Sequence, residues 1–283
     1  MIPRAAALAM AVSVGVAFGV HDAVAKMKLE GADPSLLSFS TLLAGLPLLA
    51  IMLPFAGGLR LTLASAGLFI AAGIVNFSVG RTLMYAATSR LSSSGASVMT
   101  SSSAAFSILM SLFLGERITL SIVLGVIAIM AGVYLASDWG TERFSLSGLG
   151  LGLATGFAIA SSVAIIKLGD LYGGSPGLGV IIAYLSGLVA LSPRASLSLL
   201  RRFGKPVAIM GLAAALGQLL RYVALTSLEV DVATPLQNLR PIVTTALLYG
   251  ATREAGKHPM IRHWAAACVA FLGILLVSGA IAL

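Results

Sequence analysis

Apolar residues run along this chain in stretches of about 16 to 23, each closed by a charged residue, a proline or a glycine-rich break. That is the length an α-helix needs to cross a hydrocarbon core about 30 Å thick. The apolar-polar alternation of membrane β-barrel strands is absent. The breaks divide the chain into ten candidate spans: Ala5 to Ala25, Pro34 to Pro54, Ser65 to Ala87, Ser93 to Leu114, Leu120 to Ser137, Ser147 to Lys167, Ser175 to Ser192, Val207 to Thr226, Val232 to Gly250 and Trp264 to Ala282. The seventh is interrupted by Gly177, Gly179 and Gly187. All connections are short, and none is long enough to form a soluble domain.

Composition agrees with that pattern. Of 283 residues, 58% are hydrophobic and only 10% are charged, against about 25% charged in an ordinary soluble domain. The predicted fold is an all-α integral membrane protein with ten transmembrane helices, in the cytoplasmic (plasma) membrane. A pI of about 10.1 would suggest nucleic acid only for a soluble chain. Here most Lys and Arg fall in loops, where lipid head groups and the positive-inside bias account for them. Cys268 is the single cysteine and excludes an intrachain disulfide. Arg4 ahead of an apolar stretch, with AMA at positions 9 to 11, resembles a cleavable signal. The internal repeat predicts instead that this run is kept as the first helix.

A shift of 138 residues lays Ala86 to Glu116 over Ala224 to Glu254 without a gap, matching Thr88, Ser89, Leu109 and Glu116 with Thr226, Ser227, Leu247 and Glu254. A shift of 141 lays Gly15 to Lys26 over Gly156 to Lys167. The chain therefore reads as two halves, residues 1–140 and 141–283, of five helices each. Five is odd, so the second half enters the membrane in the opposite sense. Inverted repeats of this kind build secondary transporters, with the substrate near the midplane.

A polar helix followed by FLGERIT (Phe113 to Thr119) and a glycine-rich helix (Gly125 to Ala136), with Pro241 and Glu254 in the second copy, resembles the EamA-like family of the drug/metabolite transporter superfamily. Phe18 and Gly19 stand where that family commonly has Trp-Gly, and Ser103 where a proline is common. The resemblance extends over essentially the whole chain and implies ten helices in two inverted repeats, a transporter, and termini in the cytoplasm. Family members move amino acids, sugars, nucleotides and drugs.

Asp22, Arg81, Arg221 and Arg240 lie well inside the spans. An ionisable group at the bilayer centre costs about 2.5 to 3.5 kcal/mol on insertion scales, so each is expected to face protein or water. From Arg240, near the middle of its span, the interface is about 15 Å away, beyond the reach of its side chain. Gln237, Arg240 and Thr244 share a helical face, and Asn238 adjoins it. Pro235 and Pro241 each free a backbone carbonyl, which a solvated cavity tolerates better than a dry bundle. Arg240 thus marks a cavity wall. Arg81 shares a face with Tyr85, and Asn76 lies near that span's centre; Arg221 repeats the arrangement with Gln218 and Tyr222. Both arginines read either as substrate ligands or gates, or as side chains that snorkel to head groups. Thr100 and Ser103 are the lining candidates in the serine-rich fourth span, whose other serines read as close-packing residues. Asp22 and Lys26, at i and i+4, suit an ion pair; alternatively His21 or Asp22 titrates and couples transport to protons.

Three interior arginines against one aspartate favour a small substrate with an anionic group, because guanidinium matches carboxylate or phosphate through paired hydrogen bonds. Neutral or cationic solutes and a passive pore are the alternatives. The expected partners are that substrate and the lipid bilayer, with no nucleic acid, cofactor or metal. An enzyme is not expected: His21, His258 and His263 are the only histidines, and neither H-E-x-x-H nor G-x-S-x-G occurs. Sidedness stays open. Arg4, Arg60, Arg117 and Lys167 fall on the side of the termini and eleven basic residues on the other, so the positive-inside bias places the termini outside.

Overall fold

In hydrocarbon a helix satisfies its backbone amides without outside partners, and every regular element among the described residues of the computed structural model is helical. The structure describes residues 2–29, 31–55, 58–88, 90, 101–136, 145–194, 196–252 and 260–281. The helices are α1 (Arg4–Leu29), α2 (Pro34–Met52), α3 (Leu63–Gly73), α4 (Arg81–Thr88), α5 (Ser103–Phe113), α6 (Leu120–Ala136), α7 (Leu146–Leu171), α8 (Pro176–Leu191), α9 (Ser198–Arg202), α10 (Gly204–Leu225), α11 (Val230–Gln237), α12 (Arg240–Thr252) and α13 (Met260–Ser278). Among the described residues, α1, α2, Leu63–Ala87, α7 and α10 are long and apolar enough to cross a membrane, and shorter apolar helices lie within α5, α6, α8 and α13.

Two elements differ from the simple spans the sequence suggests. The ninth span is broken into α11 and α12. Pro241 has no N–H to give the carbonyl of Gln237, and Asn238 instead closes a tight turn onto the carbonyl of Pro235 at 3.0 Å. The third span widens over residues 74–80, where the Arg81 amide donates to the carbonyl of Asn76, five residues back. The Ser38 hydroxyl donates to the Phe77 carbonyl within that widened turn at 3.0 Å. By contrast the glycine-rich seventh span stays whole as α8. Its glycines seat aromatic rings: a Cβ at Gly179 would lie 2.8 Å from the Phe69 ring, and one at Gly187 would lie 2.9 Å from Phe77.

α1 packs on α10, α11 and α12; α2 on α8 and α10; α3 on α7 and α8; α5 on α7 and α11; and α6 on α13. Phe69, Phe77, Tyr184 and Tyr222 are buried in the largest apolar cluster, with Phe77 edge-on to Tyr184 at 4.8 Å. Large apolar side chains such as Leu63, Phe113, Leu146 and Val189 point outward, as lipid-facing residues do.

Two packing features give direct expectations. A Cβ at Gly125 in α6 would come within 2.8 Å of the Gly273 carbonyl in α13 and 2.6 Å of Val277. Gly125→Val should therefore cost about 1–3 kcal/mol by overpacking, read as a lower melting temperature in detergent. Lys167 Nζ donates to the carbonyls of Leu225 and Leu228, both at 2.7 Å, and so closes the C-terminal end of α10. Lys167→Met leaves both acceptors without that charged donor, and a loss of about 1.5–3 kcal/mol is expected in the same melting measurement.

Candidate functional site

The broken and widened helices meet α1 and α10 at one cavity, lined by Phe18 and His21 from α1, Asn76 and Gly80 from the widened turn, Arg81 and Met84 from α4, Ile159 from α7, Gln218 and Arg221 from α10, and Arg240 from α12. Each polar group comes from a helix whose other faces are apolar, so the bundle turns its few charges inward. Arg81 and Arg221 are only 7% and 4% exposed. Both end inside the protein, which removes the snorkelling alternative.

Arg240 does line the cavity, but it is not alone there. Its Nε donates to Asp22 Oδ2 at 2.6 Å. This replaces the expected Asp22–Lys26 pair: Arg240 reaches Asp22 inside the bundle, where an ion pair is screened less than on the helix surface toward the membrane interface. Asp22 Oδ1 lies 2.9 Å from His21 Nδ1, and His21 Nε2 lies 3.0 Å from the Tyr85 hydroxyl. With Asp22 ionised and His21 neutral, Nδ1–H donates to the carboxylate and Nε2 accepts from Tyr85. The result is a chain of four side chains, Arg240–Asp22–His21–Tyr85, drawn from three helices.

The other two arginines have neutral partners. Arg221 Nε donates to Gln237 Oε1 at 2.6 Å and its Nη1 to Gln218 Oε1 at 3.4 Å. Arg81 Nη1 donates to Thr41 Oγ1 at 3.2 Å and its guanidinium lies 4.9 Å from the Phe77 ring centre. Among the described residues, no carboxylate lies within 4 Å of Arg81 or Arg221. Phe18 contacts two guanidinia, with Arg221 at 5.1 Å and Arg240 at 5.6 Å from its ring centre. Asn76 Nδ2 and Gln237 Nε2 are buried without a hydrogen-bond partner. The lining is rich in donors and poor in anions.

The remaining residues singled out in the sequence lie elsewhere. Asn238 Nδ2 donates to the Ser101 carbonyl at 3.4 Å and to Ser103 Oγ at 3.1 Å, tying the break in α11–α12 to the start of α5. Thr244 Oγ1 donates to the carbonyls of Gly19 and Arg240, at 3.2 and 2.8 Å. Tyr222 packs on Phe69 behind the wall. Thr100 lies outside the described residues. The sequence reading did not single out Phe18, Thr41 or Met84 as site residues. Phe18 had a usable signal, since it precedes Asp22 by four residues and so shares its helical face. Thr41 and Met84 had none.

The cavity has a volume of about 30 Å³, room for about two waters at roughly 10–15 Å³ each. A metabolite needs more space than this. Among the described residues no cluster of three or more His, Cys, Asp or Glu could hold a metal ion.

The comparisons with known proteins agree with this picture. Residues 5–138 match the EamA-like transporter family, which belongs to the drug/metabolite transporter superfamily. No curated protein matches. A solved crystal structure superposes with a TM-score of 0.74 over 96% of this chain and 99% of its own, at 16% identity, a likeness of fold alone. The N-terminal half of the chain carries an EamA-like domain, and the chain is a multi-pass integral membrane protein.

Proposed function

We propose that the protein is a secondary transporter of the plasma membrane that moves a small metabolite bearing an anionic group, such as an amino acid, organic acid or phosphorylated metabolite, by alternating access. The observation that carries this reading is the pair of buried arginines, Arg81 and Arg221, at one cavity with no carboxylate within 4 Å. Buried charge is costly without a counter-ion, and the unpartnered amide donors of Asn76 and Gln237 suit the same anion's oxygens. Arg221 and Arg240 hold the anionic group, Gln237 orients Arg221, and Asn76, Arg81 and Gln218 meet the rest of the solute. Tyr85 positions His21. Asn238, Ser103 and Thr244 hold the broken helix in place, and Tyr222 backs the wall.

Residues 1–140 and 141–283 act as two inverted five-helix repeats in this reading. Ten spans result when α3 and α4 count as one crossing, α11 and α12 as another, and the short α9 as none. The helix packing supports the pairing. Exchanging α1 with α7, α2 with α8, α3 and α4 with α10, and α5 with α11 and α12 turns the contact of α1 on α10 into that of α7 on α3. The same exchange turns α2 on α10 into α8 on α3, and α1 on α11 into α7 on α5. The two halves rock about the cavity, and the interruptions at 74–80 and 238–239 let wall segments reorient without unfolding whole helices.

The test is counterflow in proteoliposomes preloaded with unlabelled amino acids, organic acids, sugar phosphates, neutral sugars or cationic drugs. Saturable exchange confined to solutes with an anionic group is the expected result. Equal exchange of neutral or cationic solutes would overturn the substrate class, and non-saturable leakage would indicate a pore.

A further inference from the structure

We propose that Asp22 and His21 form a proton site linked to the solute site, so that one proton crosses the membrane with each anionic group. The proposal rests on the transporter reading above. Its geometric basis is that Arg240 serves two sites. Its Nε holds Asp22 Oδ2 at 2.6 Å, while its guanidinium faces Phe18 at the same cavity that Arg221 lines. A solute anion that engages Arg240 competes with Asp22 for the same guanidinium charge.

The displaced carboxylate then lies in the bundle interior without its arginine, and a proton from water neutralises it. Before loading, the site holds ionised Asp22 and cationic Arg240. After loading it holds protonated Asp22, cationic Arg240 and the anionic group, so its net charge is unchanged. One O–H bond forms on Asp22, or one N–H bond on His21 beside it. The proton comes from water on the loading side and returns to water on the release side, when Asp22 recaptures Arg240. His21 sits between cavity and carboxylate: it lines the cavity, contacts Asp22 through Nδ1 and accepts from Tyr85 at Nε2.

The charged and titratable groups around the pair are Lys26 on α1 itself, Tyr85 and Arg81 from α4, and Arg240 from α12. Thr41 on α2 holds Arg81, and Arg221 on α10 shares the cavity. An anion arriving at these arginines lies beside His21, the imidazole next to Asp22 at the cavity.

Two measurements test this. The first uses L-glutamate, malate and glucose 6-phosphate as probes in proteoliposomes with a pH step of one unit, acid outside. That step is worth about 1.4 kcal/mol and supports up to about a tenfold concentration ratio for a probe whose charge the proton neutralises. The wild type should accumulate at least one probe above its equilibrium level. Asp22→Asn should lose that accumulation, and its exchange should lose pH dependence. Accumulation by Asp22→Asn equal to wild type would overturn the proton site. A wild type that exchanges no probe would instead contradict the transporter reading.

The second measurement needs no solute. Infrared difference spectra of Arg240→Met against wild type at neutral pH should show one added proton, as a carboxylic acid or an imidazolium band. That band should vanish in Arg240→Met/Asp22→Asn. Its absence from Arg240→Met in folded protein would overturn the proposal whatever the transport assay gives.

Discussion

Replacing Arg221 by Met should weaken binding of the anionic solute by at least about 30-fold while leaving the fold assembled. Truncating one partner of a buried, hydrogen-bonded charge pair costs about 2–5 kcal/mol, and the lower figure is already about 30-fold. The expectation is sharper at Arg221 than at Arg240, because Arg221 has only amide oxygens, those of Gln237 and Gln218, as hydrogen-bond partners. Removing it strands no carboxylate. Methionine keeps the apolar stem while the guanidinium that faces Phe18 is removed with the charge. The half-saturation concentration of counterflow reads the effect. Gln237→Leu should reproduce part of it, since the 2.6 Å hydrogen bond that aims Arg221 is then gone.

The second large effect is on stability. Asp22→Ala should destabilise the protein by about 3 kcal/mol, because breaking a buried pair leaves an uncompensated charge at a typical cost of about 3–5 kcal/mol. The lower end applies, since the side chains of Arg240 and Asp22 keep 13% and 14% of their exposure. The pair is tied to helix contacts as well: a Cβ at Gly19 would lie 2.5 Å from Val243 Cβ and 3.1 Å from the Arg240 carbonyl. α1 and α12 are therefore already in close contact beside the pair. In Asp22→Ala/Arg240→Met both charges are gone, and most of the melting temperature should return. A double variant no more stable than Asp22→Ala would show that the pair is not the source of the loss.

Much of this was legible in the sequence, and the limits have physical reasons. Span length and composition report the solvent a helix meets, so the helical membrane character and the inward place of Arg240 could be read directly, whereas Arg81 and Arg221, nearer their span ends, read equally as snorkelling side chains. Proline chemistry flagged the stretch from Pro235 to Pro241, but whether a helix bends or breaks there depends on what receives the freed groups. Here Asn238 is anchored by Ser101 and Ser103, 137 and 135 residues away. The Asp22–Lys26 expectation failed for the same reason. Helical spacing sees neighbours on one helix, while the partner that captured Asp22 lies 218 residues along the chain. The glycines of α8 read as interruptions because a sequence pattern does not show the rings of Phe69 and Phe77 that occupy their place. The widened turn at 74–80 carries no proline to announce it.

The central claim is that a cavity arginine without a carboxylate recognises the charge of the solute. Its most direct test is counterflow of matched pairs that differ only in that charge, L-glutamate with L-glutamine and malate with its diamide, in wild type and Arg221→Met side by side. The account predicts saturable exchange of at least one charged member by the wild type, little of its amide, and loss of that difference in Arg221→Met. Equal exchange of charged and amide members by the wild type, unchanged by the substitution, would contradict it.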